Sequence, residues 1–193
     1  MKYAQLTLTI VAACALVLTG CSQQDAPTKP TAVATAQSYD AVVAQGKGFT
    51  VGAMMSANAV YVLFDPQCPH CGHLWEASKP LLKKVKFIWV PVSIINGNSA
   101  PQGAALLSTA NPMELMSTHE TSILAGTGGL PTAAGASPEV ELAIKKNTLL
   151  FNSMGVESVP YIVAKNARTG QVITNNGALS TAALADFLGI EHP

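Results

Sequence analysis

Cys68-Pro69-His70-Cys71 sits directly behind the apolar run Val60-Tyr61-Val62-Leu63-Phe64. Two thiols at that spacing, where a strand hands over to a helix, can cycle between dithiol and disulfide. Pro69 suits the first helical position, where its missing N–H is not needed and its fixed φ is already helical. Cys68 then lies at the helix N-terminus, where unpaired N–H groups and the positive end of the helix dipole favour a thiolate. A protonated His70 would add a second favourable charge, which makes His70 the expected electrostatic tuner. Cys68 is the expected nucleophile. Cys71, one turn inside and more buried, is the expected resolving thiol that releases a mixed disulfide.

Other uses of such a pair remain open. Structural zinc needs four ligands, and the chain has no second Cys pair, leaving His70, His73, His119 and His192 as candidates. A thiolate site for copper could also draw on Met54 or Met55. A purely structural disulfide closes too small a ring to stabilise much, and a binding module with a vestigial pair would tolerate loss of Cys68. Redox exchange, with no metal and no organic cofactor, is the reading that the residues favour.

The first 20 residues read as an export signal. Lys2 gives a short positive start, Leu6 to Leu18 is uncharged and apolar, and Leu18-Thr19-Gly20-Cys21 closes it. The apolar run is short of the roughly 20 residues that span a bilayer. The closing tetrapeptide resembles a bacterial lipobox, which implies cleavage before Cys21, lipidation of Cys21, and a lipid anchor, with Ser22 pointing to the outer membrane. Cys14 would leave with the signal, so Cys68 and Cys71 would be the only thiols remaining. Residues 21–37, rich in Pro, Thr, Ala and Gln, are expected to form a disordered tether. Residues 38–193 are enough for one domain with its own core. A formal net charge of zero gives no electrostatic case for nucleic acid.

The elements that must position the thiols follow from periodicity and punctuation. A short helix is expected at 39–44 and strands at 49–55, 60–64 and 86–95. The helix from Pro69 to about Val85 should be interrupted at Pro80. The 60–64 and 86–95 strands should pair in parallel across that helix. Helices beginning near Pro101, Pro112 and Pro138 make a helical insertion at about 98–155, with a flexible loop at 126–131. A hairpin at 160–174 and a final helix capped by Ser180 and ended by Gly189 complete an α/β chain.

This order, with the Val60-to-Cys71 segment and Trp75, resembles the thioredoxin fold and more closely the catalytic domain of the DsbC/DsbG family of periplasmic thiol:disulfide interchange proteins. The resemblance implies a thioredoxin-like fold with a helical insertion between the second and third core strands. It also implies disulfide reductase or isomerase chemistry on exported proteins, or reduction of sulfenic acids. It further implies a cis Val159–Pro160 bond beside the disulfide, with Val159, Pro160 and Pro69 contacting an extended substrate and Met154, Gly155 and Pro66 lining the same apolar groove. Partners would be exported proteins and a DsbD-like reductant of the inner membrane, or a DsbB-like oxidant if the chain works as a DsbA-like donor of disulfides. Three departures qualify it. The 38 residues before Tyr39 leave no room for the family's dimerisation domain, and Val159 stands where these proteins have Thr. Val62 replaces the buried acid that thioredoxin and DsbA carry six residues before the first Cys, while Asp65 reads as an exposed turn residue ahead of Pro66.

Overall fold

A computed structural model describes residues 32–131 and 136–193. The expected leader, Cys21 and most of the expected tether lie outside the described residues. Five strands, β1 (Phe49–Gly52), β2 (Ala59–Phe64), β3 (Lys86–Pro91), β4 (Tyr161–Lys165) and β5 (Val172–Asn176), form one sheet in the order β1-β3-β2-β4-β5. β2 and β3 are parallel, with Val60 opposite Phe87 and Val62 opposite Trp89, and every other pairing is antiparallel. The parallel pair is central, and its long apolar runs fit a sheet covered on both faces.

Strand alternation divides the core in two. Val60, Val62, Phe64, Phe87, Trp89, Ile162 and Ala164 face α2 (Pro69–Ser78) and α6 (Thr181–Leu188). Leu63, Val90, Tyr161 and Val163 face α1 (Ala32–Gln45) and α5 (Pro138–Ser153). On the first face, Trp75 of α2 packs edge-on against Trp89 with ring centroids 5.3 Å apart, and Phe64 meets Trp89 at 5.4 Å. Such pairs add about 0.5–1.5 kcal/mol each beyond simple burial. Trp75 is therefore a core residue that fixes the helix carrying the thiols to the sheet. Between β3 and β4 lie α3 (Ser99–Ser108), α4 (Pro112–Leu124) and α5, the helical insertion that the sequence implied.

Several boundaries differ from expectation, each for a local reason. α1 begins at Ala32, inside the stretch assigned to the tether, because Ala32, Ala34 and Ala36 are strong helix formers with no Pro after Pro30. α2 ends at Ser78 and passes into a single 3-10 turn at Lys79–Leu81, as Pro80 requires. β3 stops at Pro91 rather than Ile95, since the N–H groups of Ile94 and Ile95 turn away from the sheet to Asp65 Oδ2, at 2.7 and 3.0 Å. Asp65 is a turn residue ahead of Pro66, as expected, its carbonyl accepting from Cys68 N–H at 3.0 Å, but it is not exposed. It is fully buried, and its Oδ1 also accepts from Gln67 N at 2.8 Å, so three backbone donors satisfy the carboxylate. Asp65 ties the end of β2 to the end of β3, directly beneath Cys68.

Asp65→Ala would leave those three backbone donors without their acceptor. The expected cost is about 2–4 kcal/mol of unfolding free energy, by the penalty for orphaned buried polar groups. Urea unfolding of the reduced protein measures it, and a loss below about 1 kcal/mol would contradict the buried role.

Candidate active site

Cys68 occupies the position that caps α2, with extended backbone (φ −98°, ψ 111°), and Pro69 takes the first helical position. The turn into the helix is closed by Cys68 N–H donating to Asp65 O at 3.0 Å and Cys71 N–H to Cys68 O at 2.9 Å. Cys68 is 5 % exposed and Cys71 is fully buried, both as free thiols. The Cys68 sulfur makes no close capping bond to the helix backbone. Its chief support is the Cys71 thiol, which donates a hydrogen bond to it; against the cost of burial, the N–H groups of Cys71 and His70 and the charge of His70 help further. Together they lower the Cys68 pKa from 9.0 to about 6. Cys71 moves the opposite way, its pKa raised well above 9.0 by burial first, then by its hydrogen bond to Cys68 and by the Cys68 charge. Two chemically identical thiols are thereby split into a nucleophile and a held proton.

The Val159–Pro160 bond is cis, and Val159 O lies 3.5 Å from Cys68 Sγ, in reach of the thiol as an acceptor. Pro160 is buried and Val159 half-buried, while Pro69 and His70 are exposed beside the nucleophile. Cys68, Cys71, His70, Pro69, Val159 and Pro160 therefore converge at one end of the sheet. Met154 and Gly155 line an open pocket of about 390 Å³ with Ser158 and Tyr161, whereas Pro66 is buried and its Cγ lies 3.6 Å from where a Cβ on Gly103 would stand. Among the described residues no group of three or more His, Cys, Asp or Glu side chains is placed to hold a metal ion. His73 is exposed, its ring 6.3 Å from that of His70, and Met54 and Met55 are exposed on the loop after β1.

The insertion brings polar residues to the site that the sequence had not placed there, His119 having been offered only as a candidate metal ligand and Gln102 and Glu120 not at all. His119 Nε2 bonds Pro66 O at 2.7 Å, and its Nδ1 accepts from Leu130 N at 3.1 Å, which makes Nε2 the protonated nitrogen. Burial keeps this imidazole below its ordinary pKa and neutral. Gln102 Nε2 donates to Gly128 O and Leu130 O at 2.8 and 2.7 Å, and Gln102 also bonds Gln67, the residue before Cys68. The 126–131 loop is therefore not the flexible connection that its glycines suggested. It is pinned over the site, and Gly129, at φ +84°, lies so close to His119 that a Cβ would stand 2.5 Å from Cε1.

Glu120, next to His119 on α4, is fully buried, and neither carboxyl oxygen has a hydrogen-bond partner among the described residues. α4 reaches α2 at Gly72, where an added Cβ would stand 2.9 Å from Glu120 Oε2 and 3.0 Å from Leu124 Cγ. Burial, and then the charges of Cys68, Glu76 and Asp65, push the Glu120 pKa from 4.5 up to about 9. The available sequence signal was an acid in the stripe Met116, Glu120, Ile123 of an otherwise amphipathic helix.

The comparisons with known proteins agree with this geometry. No protein-family profile matches the chain. Thiol:disulfide interchange protein DsbG of Pseudomonas aeruginosa is 32% identical over 140 residues, 72% of this chain and 54% of the relative. DsbG of Escherichia coli K12 is 30% identical over 105 residues, 53% of this chain and 42% of the relative. Over these stretches the chain is DsbG-like. It spans about half the length of the curated relatives it matches. Among solved structures, the catalytic domain of Proteus mirabilis ScsC superposes with TM-score 0.62 at 17% identity, covering 82% of this chain and 97% of that one. The thiol-disulfide exchange protein alpha-DsbA2 of Wolbachia pipientis gives 0.61 at 16%, covering 81% and 93%. The DsbG-like chain thus has a thioredoxin-like fold.

Two measurements check the electrostatics. Alkylation of the reduced protein should rise with pH through a midpoint near 6 from Cys68 alone, with Cys71 unmodified. Cys71→Ala should raise that midpoint more than His70→Ala, because the Cys71 hydrogen bond is the larger support and the His70 charge the smallest. A larger effect from His70 would contradict this ordering. The second concerns Glu120. An acid whose native pKa is raised holds the fold below its unfolded pKa and weakens it as pH climbs toward the native one. The advantage of Glu120→Gln over wild type in denaturant unfolding should therefore grow between about pH 4.5 and 9, and a flat difference would contradict it.

Proposed function

We propose that the chain is a thiol:disulfide oxidoreductase of exported proteins, working as a DsbG-like disulfide reductase or isomerase. The observation that carries this reading is the asymmetry of one pair, an easily ionised Cys68 capping α2 over a buried, protonated Cys71. The similarity to two DsbG proteins supports the same chemistry.

In the forward direction the Cys68 thiolate attacks a substrate disulfide, and one substrate sulfur leaves as a thiolate. Cys71 then loses its proton and attacks Cys68, closing the Cys68–Cys71 disulfide and releasing the second substrate sulfur. Two electrons pass from enzyme to substrate. His70 adds the charge that favours the attacking thiolate. Pro69, Val159 and Pro160 form the contact surface for an extended substrate segment, the Val159 backbone pairing with it as an added strand. A sulfenic acid on a single Cys could be reduced by the same two steps, with water as the departing group.

A second reading has support from the Cys68 pKa. A stabilised thiolate makes the disulfide form a better oxidant, so the chain could donate disulfides in the manner of a DsbA-like protein. The place of action in either case is the periplasm, with lipidation at Cys21 tethering the domain to a membrane through the residues that precede α1. The electron partner is a DsbD-like reductant or a DsbB-like oxidant.

Expression of Cys71→Ala in the native host tests the reading. Mixed disulfides with exported proteins should accumulate on Cys68 and vanish in the Cys68→Ala, Cys71→Ala double variant; no adduct in either would contradict it. Acid-quenched alkylation of the native chain gives the direction. A mostly dithiol population fits the reductase, and a mostly disulfide one fits the oxidant.

A further inference from the structure

The exchange reaction requires Cys71, the thiol whose proton is held most tightly, to lose that proton inside the protein. The bases near it are few. Val62 is buried and apolar, and Asp65 is occupied by three backbone donors. His119 is committed through both ring nitrogens, to Pro66 O and Leu130 N. Among the described residues, Glu120 alone of the buried acids beside the pair has both oxygens free, and its Oε2 faces the backbone of Gly72, the residue after Cys71.

We propose that Glu120, delivered by the helical insertion, is the proton acceptor for Cys71 during resolution of the mixed disulfide. The inference rests on the oxidoreductase reading above. The groups acting on Glu120 are Cys68 and Glu76 of the α2 segment and Asp65 at the end of β2, and Glu120 acts in turn on Cys71. In the resting reduced protein its carboxyl is neutral. When Cys68 forms the mixed disulfide, its negative charge disappears, so Glu120, still held up chiefly by burial, ionises at a lower pH than in the reduced protein and gives its proton to solvent. Cys71 S–H then transfers its proton to the Glu120 carboxylate, directly or across one water. The Cys71 thiolate attacks Cys68 Sγ, the Cys68–Cys71 bond forms, the bond from Cys68 to the substrate sulfur breaks, and the electron pair departs on the substrate thiolate. Glu120 ends neutral, as it began.

Stopped-flow reaction of the reduced full chain with dithiobis-nitrobenzoate separates the two steps. The first thionitrobenzoate reports attack by Cys68, and the second reports resolution by Cys71. Glu120→Gln keeps the shape of the neutral acid, so the first phase should stay within about twofold, while the second slows by roughly a hundredfold or more. In wild type the second phase should accelerate with pH as Glu120 ionises, and in Glu120→Gln that rise should be displaced upward. Glu120→Asp, which retains a carboxyl, should restore part of the rate. A Glu120→Gln second phase within twofold of wild type at every pH overturns the proposal. A wild type that releases no second thionitrobenzoate overturns the oxidoreductase reading and this inference with it. Carboxyl-¹³C NMR of glutamate-labelled wild type is independent of any variant. One Glu should titrate above neutrality and move to lower pH when the pair is oxidised, and no such Glu would also overturn the proposal.

Discussion

Everything around the two sulfurs serves one constraint: a negative charge must be comfortable on Cys68 while Cys71, one turn further along the same helix, stays neutral. Burial alone would raise both pKa values. The split comes from position. Cys68 precedes the first turn of α2, where the N–H groups of Cys71 and His70 and the positive end of the helix dipole face it, and it receives the Cys71 S–H; Cys71 lies inside the turn, surrounded by apolar side chains and facing the charge it helps to stabilise. The sheet maintains this geometry from below. β2 delivers the pair, Trp75 locks α2 onto Trp89, and Asp65 holds the ends of β2 and β3 together.

The helical insertion acts as a lid of fixed polar contacts. His119, Gln102 and Ser122 hold the 126–131 loop over the segment that leads into Cys68; Ser122 Oγ accepts from Gly129 N at 3.0 Å. Gly72 allows α4 to approach α2 closely enough to bring Glu120 against the helix that carries the thiols. A carboxyl buried there without partners is costly unless neutral. Its position beside the resolving thiol links the insertion to proton movement as well as to shape.

Much of this was legible in the residues. The Cys-Pro-His-Cys spacing, the two apolar runs at Val60 and Phe87, and Pro69, Pro112 and Pro138 at first helical positions locate the pair, the parallel strands and the helix starts. Local chemistry decides these features, so local reading finds them. The turn role of Asp65 was legible, but its burial was not, because that follows from Ile94 and Ile95, which are distant in sequence and donate to it from beyond the end of β3. The glycines of the 126–131 loop signalled freedom of the backbone, and the side chains of His119 and Gln102 remove it. Glu120 went unnoticed because an acid in a helix reads as a solvated face until the partner helix is known to cover it.

The most direct test of the central claim is a redox titration of the purified protein against glutathione buffers, quenched in acid, alkylated and weighed intact. The two sulfurs should convert together between dithiol and an internal disulfide, with Cys68 the only site that carries glutathione in the intermediate. Independent modification of Cys71, or a pair that never closes, would contradict the account.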